Sequence, residues 1–135
     1  MDNSQTKKIV NYWKETAECD YKVMNSLFKS KEYYGCLFFG HIVLEKILKA
    51  LAVQEIKQQA PYIHDLVRLE EIANIELSEE EVKILKEVSA FNLKTRYPDY
   101  KLKFYKLCTK EFTKDYFNKI IILYKKLCQK LTQKK

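Results

Sequence analysis

Only two prolines, Pro61 and Pro98, and two glycines, Gly35 and Gly40, interrupt this chain of 135 residues. A β-rich domain of that length needs turn residues roughly every 8–12 positions. Their scarcity therefore points to an all-α domain with few connections. The apolar residues agree. Ile9, Val10, Trp13, Ala17, Tyr21, Met24, Leu27 and Phe28 recur in steps of three and four, which predicts a first helix over residues 4–30 with one apolar stripe. Asp20 projects into that stripe, and a carboxylate there needs a partner. A structural ion pair and a ligand-binding role are both open for it.

A second helix is expected over residues 32–56. It is apolar around most of its circumference between Tyr33 and Leu44, as a central helix should be. Tyr33, Leu37, Gly40, Leu44, Leu48 and Leu51 share a face, while Phe38 and Ile42 form a second apolar edge toward another helix or another subunit. His41, Glu45 and Lys49 follow at four-residue spacing along a flank, and Glu45 before Lys49 is a favourable helical pair, worth about 0.3 kcal/mol on an exposed surface. H-x-x-x-E alone lacks the converging histidines or cysteines of a zinc site, so no metal is expected.

Pro61 marks a connection, after which His64-Asp65-Leu66 opens a short helix reaching Ala73. Ser78-Glu79-Glu80-Glu81 reads as a capping box that starts a further helix, with Val82, Leu85 and Val88 facing inward. The same projection carries Asn92 and Arg96 inward. Pro98 then halts that helix near Arg96, because proline disfavours helical geometry in the residue before it. Residues 100–108 interleave lysine with apolar side chains and are expected to be extended or irregular. A last helix follows from residue 109 or 113 to 131. Four long helices plus a short one, in an up-and-down bundle, make a single domain over residues 1–135.

The hydrophobic fraction of 47% is enough for a core without staples. Met1 to Lys8 is polar and no apolar run approaches about 18 residues, so neither a signal peptide nor a membrane span is expected, and the location expected is cytoplasmic. Cys19, Cys36, Cys108 and Cys128 form no C-x-x-C pair and read as reduced filler. The net charge of +7 is uneven: residues 101–135 carry eleven lysines against Glu111 and Asp115, whereas residues 1–100 are net negative. Lys101, Lys103, Lys106 and Lys110 begin that basic region. They fit either a solvated helix surface or a face that attracts phosphate or an acidic partner.

Leu44-Glu45-Lys46-Ile47-Leu48-Lys49-Ala50-Leu51, His64-Asp65-Leu66 and Arg96-Tyr97-Pro98-Asp99, in this order and spacing, resemble the HEPN domain, the "higher eukaryotes and prokaryotes nucleotide-binding" family. The resemblance implies a bundle of four or five helices that commonly dimerises, with a polar pocket at or near the dimer interface. It also implies a minimal nucleotidyltransferase as a possible partner, and ribonuclease activity in toxin–antitoxin or defence systems for many members. The nuclease members share an Arg-x4–6-His motif, in which arginine holds the scissile phosphate and histidine handles a proton. In this chain the corresponding positions after Arg96 are Lys101, Leu102 and Lys103, with no histidine. No cofactor is implied.

The expected function is therefore binding of a nucleotide, RNA or a nucleotidyltransferase partner without the complete ribonuclease motif. The candidate binding residues are Arg96, Asp99, Tyr97, Tyr100, Glu45, Lys49, His41, His64 and Asp20. Arg96 would take a phosphate or carboxylate, and Tyr97 and Tyr100 would either stack on a base or pack the corner. A metal-independent endoribonuclease of the toxin type, using a displaced histidine, is the alternative. A helical assembly module held by Asp20, Glu45 and Arg96 is the third.

Overall fold

The computed structural model describes residues 1–133, with backbone alone for residues 95, 96, 132 and 133. It contains six helices: α1 (Asn3–Lys29), α2 (Tyr33–Ile56), α3 (Leu66–Ala73), α4 (Glu79–Arg96), α5 (Pro98–Leu107) and α6 (Lys110–Gln133). No strand occurs among the described residues. No helix of theirs is long and apolar enough to cross a membrane.

α2 is the axis of the bundle and packs against α1, α3, α4 and α6. Its near-continuous apolar circumference explains this: Leu37, Val43, Leu44, Ile47, Leu48, Leu51 and Val53 have no solvent exposure. Aromatic stacking joins α1 to α6 along one side. Phe28 lies on Phe117 with ring centroids 4.3 Å apart, and Tyr21 on Tyr124 at 4.5 Å. Phe38 and Ile42 are left half-exposed.

The helix boundaries have local causes. At the start of α1, Asp2 and Gln5 form a capping box. Asp65 caps α3 from outside the helix, its carboxylate accepting the Val67 and Arg68 N–H groups, and Ser78 with Glu81 forms the capping box of α4. Glu81 also pairs with Lys126 at 2.8 Å, tying the start of α4 to α6. Lys57 and Asn74 end α2 and α3 in the left-handed conformation.

One segment differs from its sequence pattern. Residues 98–107 form the helix α5, not an extended stretch, so the bundle has two short helices beside four long ones. Pro98 occupies the first helical position, where its fixed φ favours a helix and its missing N–H costs nothing. Tyr97 separates α4 from α5 as a single extended residue, and its carbonyl accepts from the N–H groups of Tyr100 and Lys101. Phe104 is the residue that α5 buries, 5.0 Å from the ring of Phe91. Lysine at alternate positions imitates a strand, yet Tyr97, Tyr100, Phe104 and Cys108 hold helical spacing.

Cys36 and Cys108 are buried and Cys128 is half-buried, as apolar filler requires, but Cys19 is exposed. Burial pushes the Cys36 thiol up to about 12 and that of Cys108 up to about 11, so both stay protonated near neutrality.

At Gly40 a side chain of α6 lies close against α2. A Cβ built there would stand 2.7 Å from Cδ1 of Ile120. Alanine would gain about 1 kcal/mol of helix propensity but must displace a buried side chain, at a cost of about 1–3 kcal/mol. We expect Gly40→Ala to lower stability by up to about 2 kcal/mol, and Ile120→Val to cost less in the Gly40→Ala background than in the native chain. Urea denaturation of the four proteins measures this coupling.

Candidate functional site

Glu45 is the centre of a polar group inside the bundle. Its Oε2 accepts from Nζ of Lys49 at 3.1 Å, and its Oε1 accepts from Nδ1 of His64 at 2.9 Å. The side chains of Glu45 and Lys49 are only 12% and 7% exposed. The pair predicted on helical spacing is thus a nearly buried one, so losing either partner costs far more than it would on a surface. Trp13 of α1 covers the ammonium, whose Nζ lies 5.2 Å from the indole centroid.

His41 is buried one turn before Glu45. Its Nε2 lies 3.2 Å from the carbonyl oxygen of His64 and 3.8 Å from Glu45 Oε1. Both neighbours accept, so Nε2 carries a proton. His64 is half-exposed, and its Nδ1 must likewise carry the proton shared with Glu45. Two histidines and one carboxylate therefore fasten the α2–α3 connection to α2. From the other side, Ser89 of α4 accepts the Leu66 N–H at 2.9 Å.

His64 faces a cleft of about 620 Å³ between this connection, α4 and the start of α5. Lys86, Ser89, Ala90, Asn92, Leu93 and Lys94 line it from α4 and Tyr100 from α5, and Asp65, whose carboxylate caps α3, lines it beside His64. Of the residues named from sequence, His64 and Tyr100 line this cleft, with Glu45, Lys49 and His41 behind His64. Tyr97 and Tyr100 are each 53% exposed and do not pack into the core. Asp99 is exposed in the first turn of α5. The backbone of Arg96 is four residues beyond Asn92 at the end of α4; its side chain, and with it the expected inward direction, lies outside the described residues.

Asp20 stands apart from Glu45. It accepts from Lys46 at 2.6 Å across α1 and α2, the structural ion pair that its place in the stripe required. Lys101, Lys103, Lys106 and Lys110 are all exposed. Among the described residues no group of three or more histidine, cysteine or acidic side chains is placed to hold a metal ion.

One comparison with known families bears on this chain. Residues 10–133 match the HEPN domain. The chain belongs to the HEPN domain family. No curated protein and no solved structure matches it.

Within this HEPN domain the residues five to seven positions after Arg96, on α5, are Lys101, Leu102 and Lys103. Both histidines come instead from α2 and the α2–α3 connection. Sequence reasoning had not singled out Lys86, Ser89 and Lys94. Their signal was present as a polar stripe at three- to five-residue spacing beside Leu85 and Val88, but it resembles any solvated helix face until the α2–α3 connection and α5 enclose it.

The buried charges generate a prediction. Removing one partner of a buried pair leaves the other uncompensated, at a cost of about 3–5 kcal/mol. We expect Glu45→Gln and Lys49→Met each to destabilise the domain by about 2–4 kcal/mol, and the double variant to cost at least about 1 kcal/mol less than their sum. Additive losses in a urea-denaturation cycle would mean that the two charges do not support each other.

Proposed function

We propose that this HEPN protein binds a nucleotide or single-stranded RNA by its phosphates in the cleft between His64 and Tyr100. The observation that carries this reading is the lining itself. Lys86 and Lys94 supply positive charge, Asn92 and His64 supply directional hydrogen bonds, and Tyr100 offers an exposed ring for stacking. The volume of about 620 Å³ fits a ligand of nucleotide size. Arg96, at the end of α4, is the bidentate phosphate partner in this proposal, and Asp99 and Tyr97 border the same corner. Lys101, Lys103, Lys106 and Lys110 add long-range attraction. A homodimer and a minimal nucleotidyltransferase partner, both implied by the family resemblance, belong to the same proposal.

A second reading, a metal-independent endoribonuclease, has its own support in the bond from His64 Nδ1 to Glu45 Oε1 at 2.9 Å. A carboxylate on Nδ1 orients the ring and leaves Nε2 for proton transfer, the arrangement of a general base. This reading requires RNA cleavage that persists in chelator and disappears in His64→Gln. Intact RNA after incubation with the native protein contradicts it.

For the binding reading, the test is fluorescence titration of labelled single-stranded RNA over a range of salt. Replacing Lys86 and Lys94 together by alanine should weaken binding by about tenfold or more at low salt and reduce the salt slope by about 1.4. Arg96→Ala should weaken it further with the fold intact. The control pair Lys114→Ala and Lys125→Ala, on α6, should have a much smaller effect. Equal losses from both lysine pairs would remove the cleft from the proposal. Lower stability of Arg96→Ala with unaltered binding would favour a purely structural role for that arginine.

A further inference from the structure

His64 joins the buried polar group to the open cleft, and its two ring nitrogens have different neighbours. Nδ1 lies 2.9 Å from Oε1 of Glu45, and an ionised carboxylate only accepts, so Nδ1 carries a proton. Nε2 makes no hydrogen bond among the described residues, while the side chain is 49% exposed and lines the cleft. The N–H directions of the two nitrogens diverge across the ring, so holding Nδ1 at Glu45 turns Nε2 away from the core. With Nδ1 protonated, the neutral ring offers only an acceptor at Nε2, whereas the imidazolium offers a charged donor. Phosphate oxygens also accept. The neutral ring therefore has nothing to give a phosphate at this nitrogen, and a second proton changes that.

The charges around the ring oppose one another. Glu45 at Nδ1 and Asp65, the next residue of the connection, favour the imidazolium. Lys49 on the other oxygen of Glu45, and Lys86 and Lys94 of α4 in the cleft wall, disfavour it. His41, whose Nε2 donates to the His64 carbonyl, lines no part of the cleft, and Tyr100 faces it from α5. A phosphate entering the cleft offsets Lys86 and Lys94 and supplies an anionic acceptor for Nε2–H. Both changes favour the imidazolium.

We propose that phosphate binding in this cleft is coupled to uptake of a proton at Nε2 of His64, so that affinity rises as pH falls through the range in which imidazole titrates. The proposal rests on the cleft being the nucleotide or RNA site and adds the regulation of that site. The protonated ring is favoured more in the complex than in the free protein, so its titration midpoint is higher in the complex. Affinity accordingly climbs as pH drops through that midpoint and levels off once the ring of the free protein is protonated as well.

The probe is an oligouridylate without terminal phosphates, whose own groups keep one charge state from pH about 5.5 to about 8, titrated into the intact protein at fixed ionic strength. Binding should tighten by about tenfold between the higher and the lower pH, the gain from one charge-assisted hydrogen bond. Calorimetry in two buffers of different ionisation heat should count up to about one proton taken up per site between these limits. In His64→Gln, which has no proton to gain, the tenfold ratio should fall to about one. Nitrogen-15 spectra of the native protein give a reading that needs no variant: the His64 Nε2 midpoint should rise when the oligonucleotide is added, and His41 has its own signals. Equal affinity at the two pH values overturns the proposal and leaves the binding reading standing, whereas no binding at either pH removes both. A tenfold ratio that survives in His64→Gln, or a His64 midpoint that the oligonucleotide does not move, assigns the proton to another group and also overturns it.

Discussion

The Glu45 carboxylate is the interaction on which the cleft depends. It is nearly buried on the central helix and accepts simultaneously from Lys49 and His64. Neither charge of the Glu45–Lys49 pair is stable alone in that environment, so each holds the other in place. The third contact reaches outside α2 and fixes the connection leading to α3. With His41 bonded to the carbonyl of His64 and Ser89 bonded to the Leu66 N–H, this connection is fastened from both sides. The wall of the cleft is therefore built from polar contacts anchored in the core.

This arrangement is possible because α2 is covered by helices on nearly every side. A central helix has little solvent-facing surface, so polar side chains on it must be satisfied by neighbours. Trp13 contributes an aromatic face to Lys49, and the α2–α3 connection contributes an imidazole to Glu45. Gly40 serves the same crowding on the other flank, where Ile120 approaches closely. Two features of one helix, a missing side chain toward α6 and a polar group toward α3, thus come from its central position.

Long helices were legible in the sequence because their apolar residues repeat over five or more turns, as in the stripe from Ile9 to Phe28. The start of α4 was legible for a different reason, since Ser78 and Glu81 satisfy each other's backbone groups locally. α5 was not. Its ten residues bury one side chain, so its lysine alternation outweighed a periodicity only three turns long. For the candidate site, the spacing of His41, Glu45 and Lys49 placed them on one ridge, but a helical projection cannot say what covers that ridge. Trp13 and His64 come from elements distant in sequence and turned an apparent surface pair into a buried one. Lys86 and Lys94 became visible only when the α2–α3 connection and α5 closed around them.

The geometry of this HEPN domain separates neighbouring residues by position. Glu45 and His41 hold the wall of the cleft and His64 and Tyr100 face it; in the proposed function the lysines of α4 attract the ligand. α5 presents Lys101, Leu102 and Lys103, and the two histidines of the chain both lie at the clamp around Glu45. The most direct measurement is the nitrogen-15 NMR spectrum of the His64 ring during titration with a mononucleotide. The Glu45 clamp and the cleft together predict a protonated Nδ1 throughout, with the Nε2 signal moving as ligand is added. An unprotonated Nδ1, or an Nε2 signal that stays still while the nucleotide binds, would contradict it.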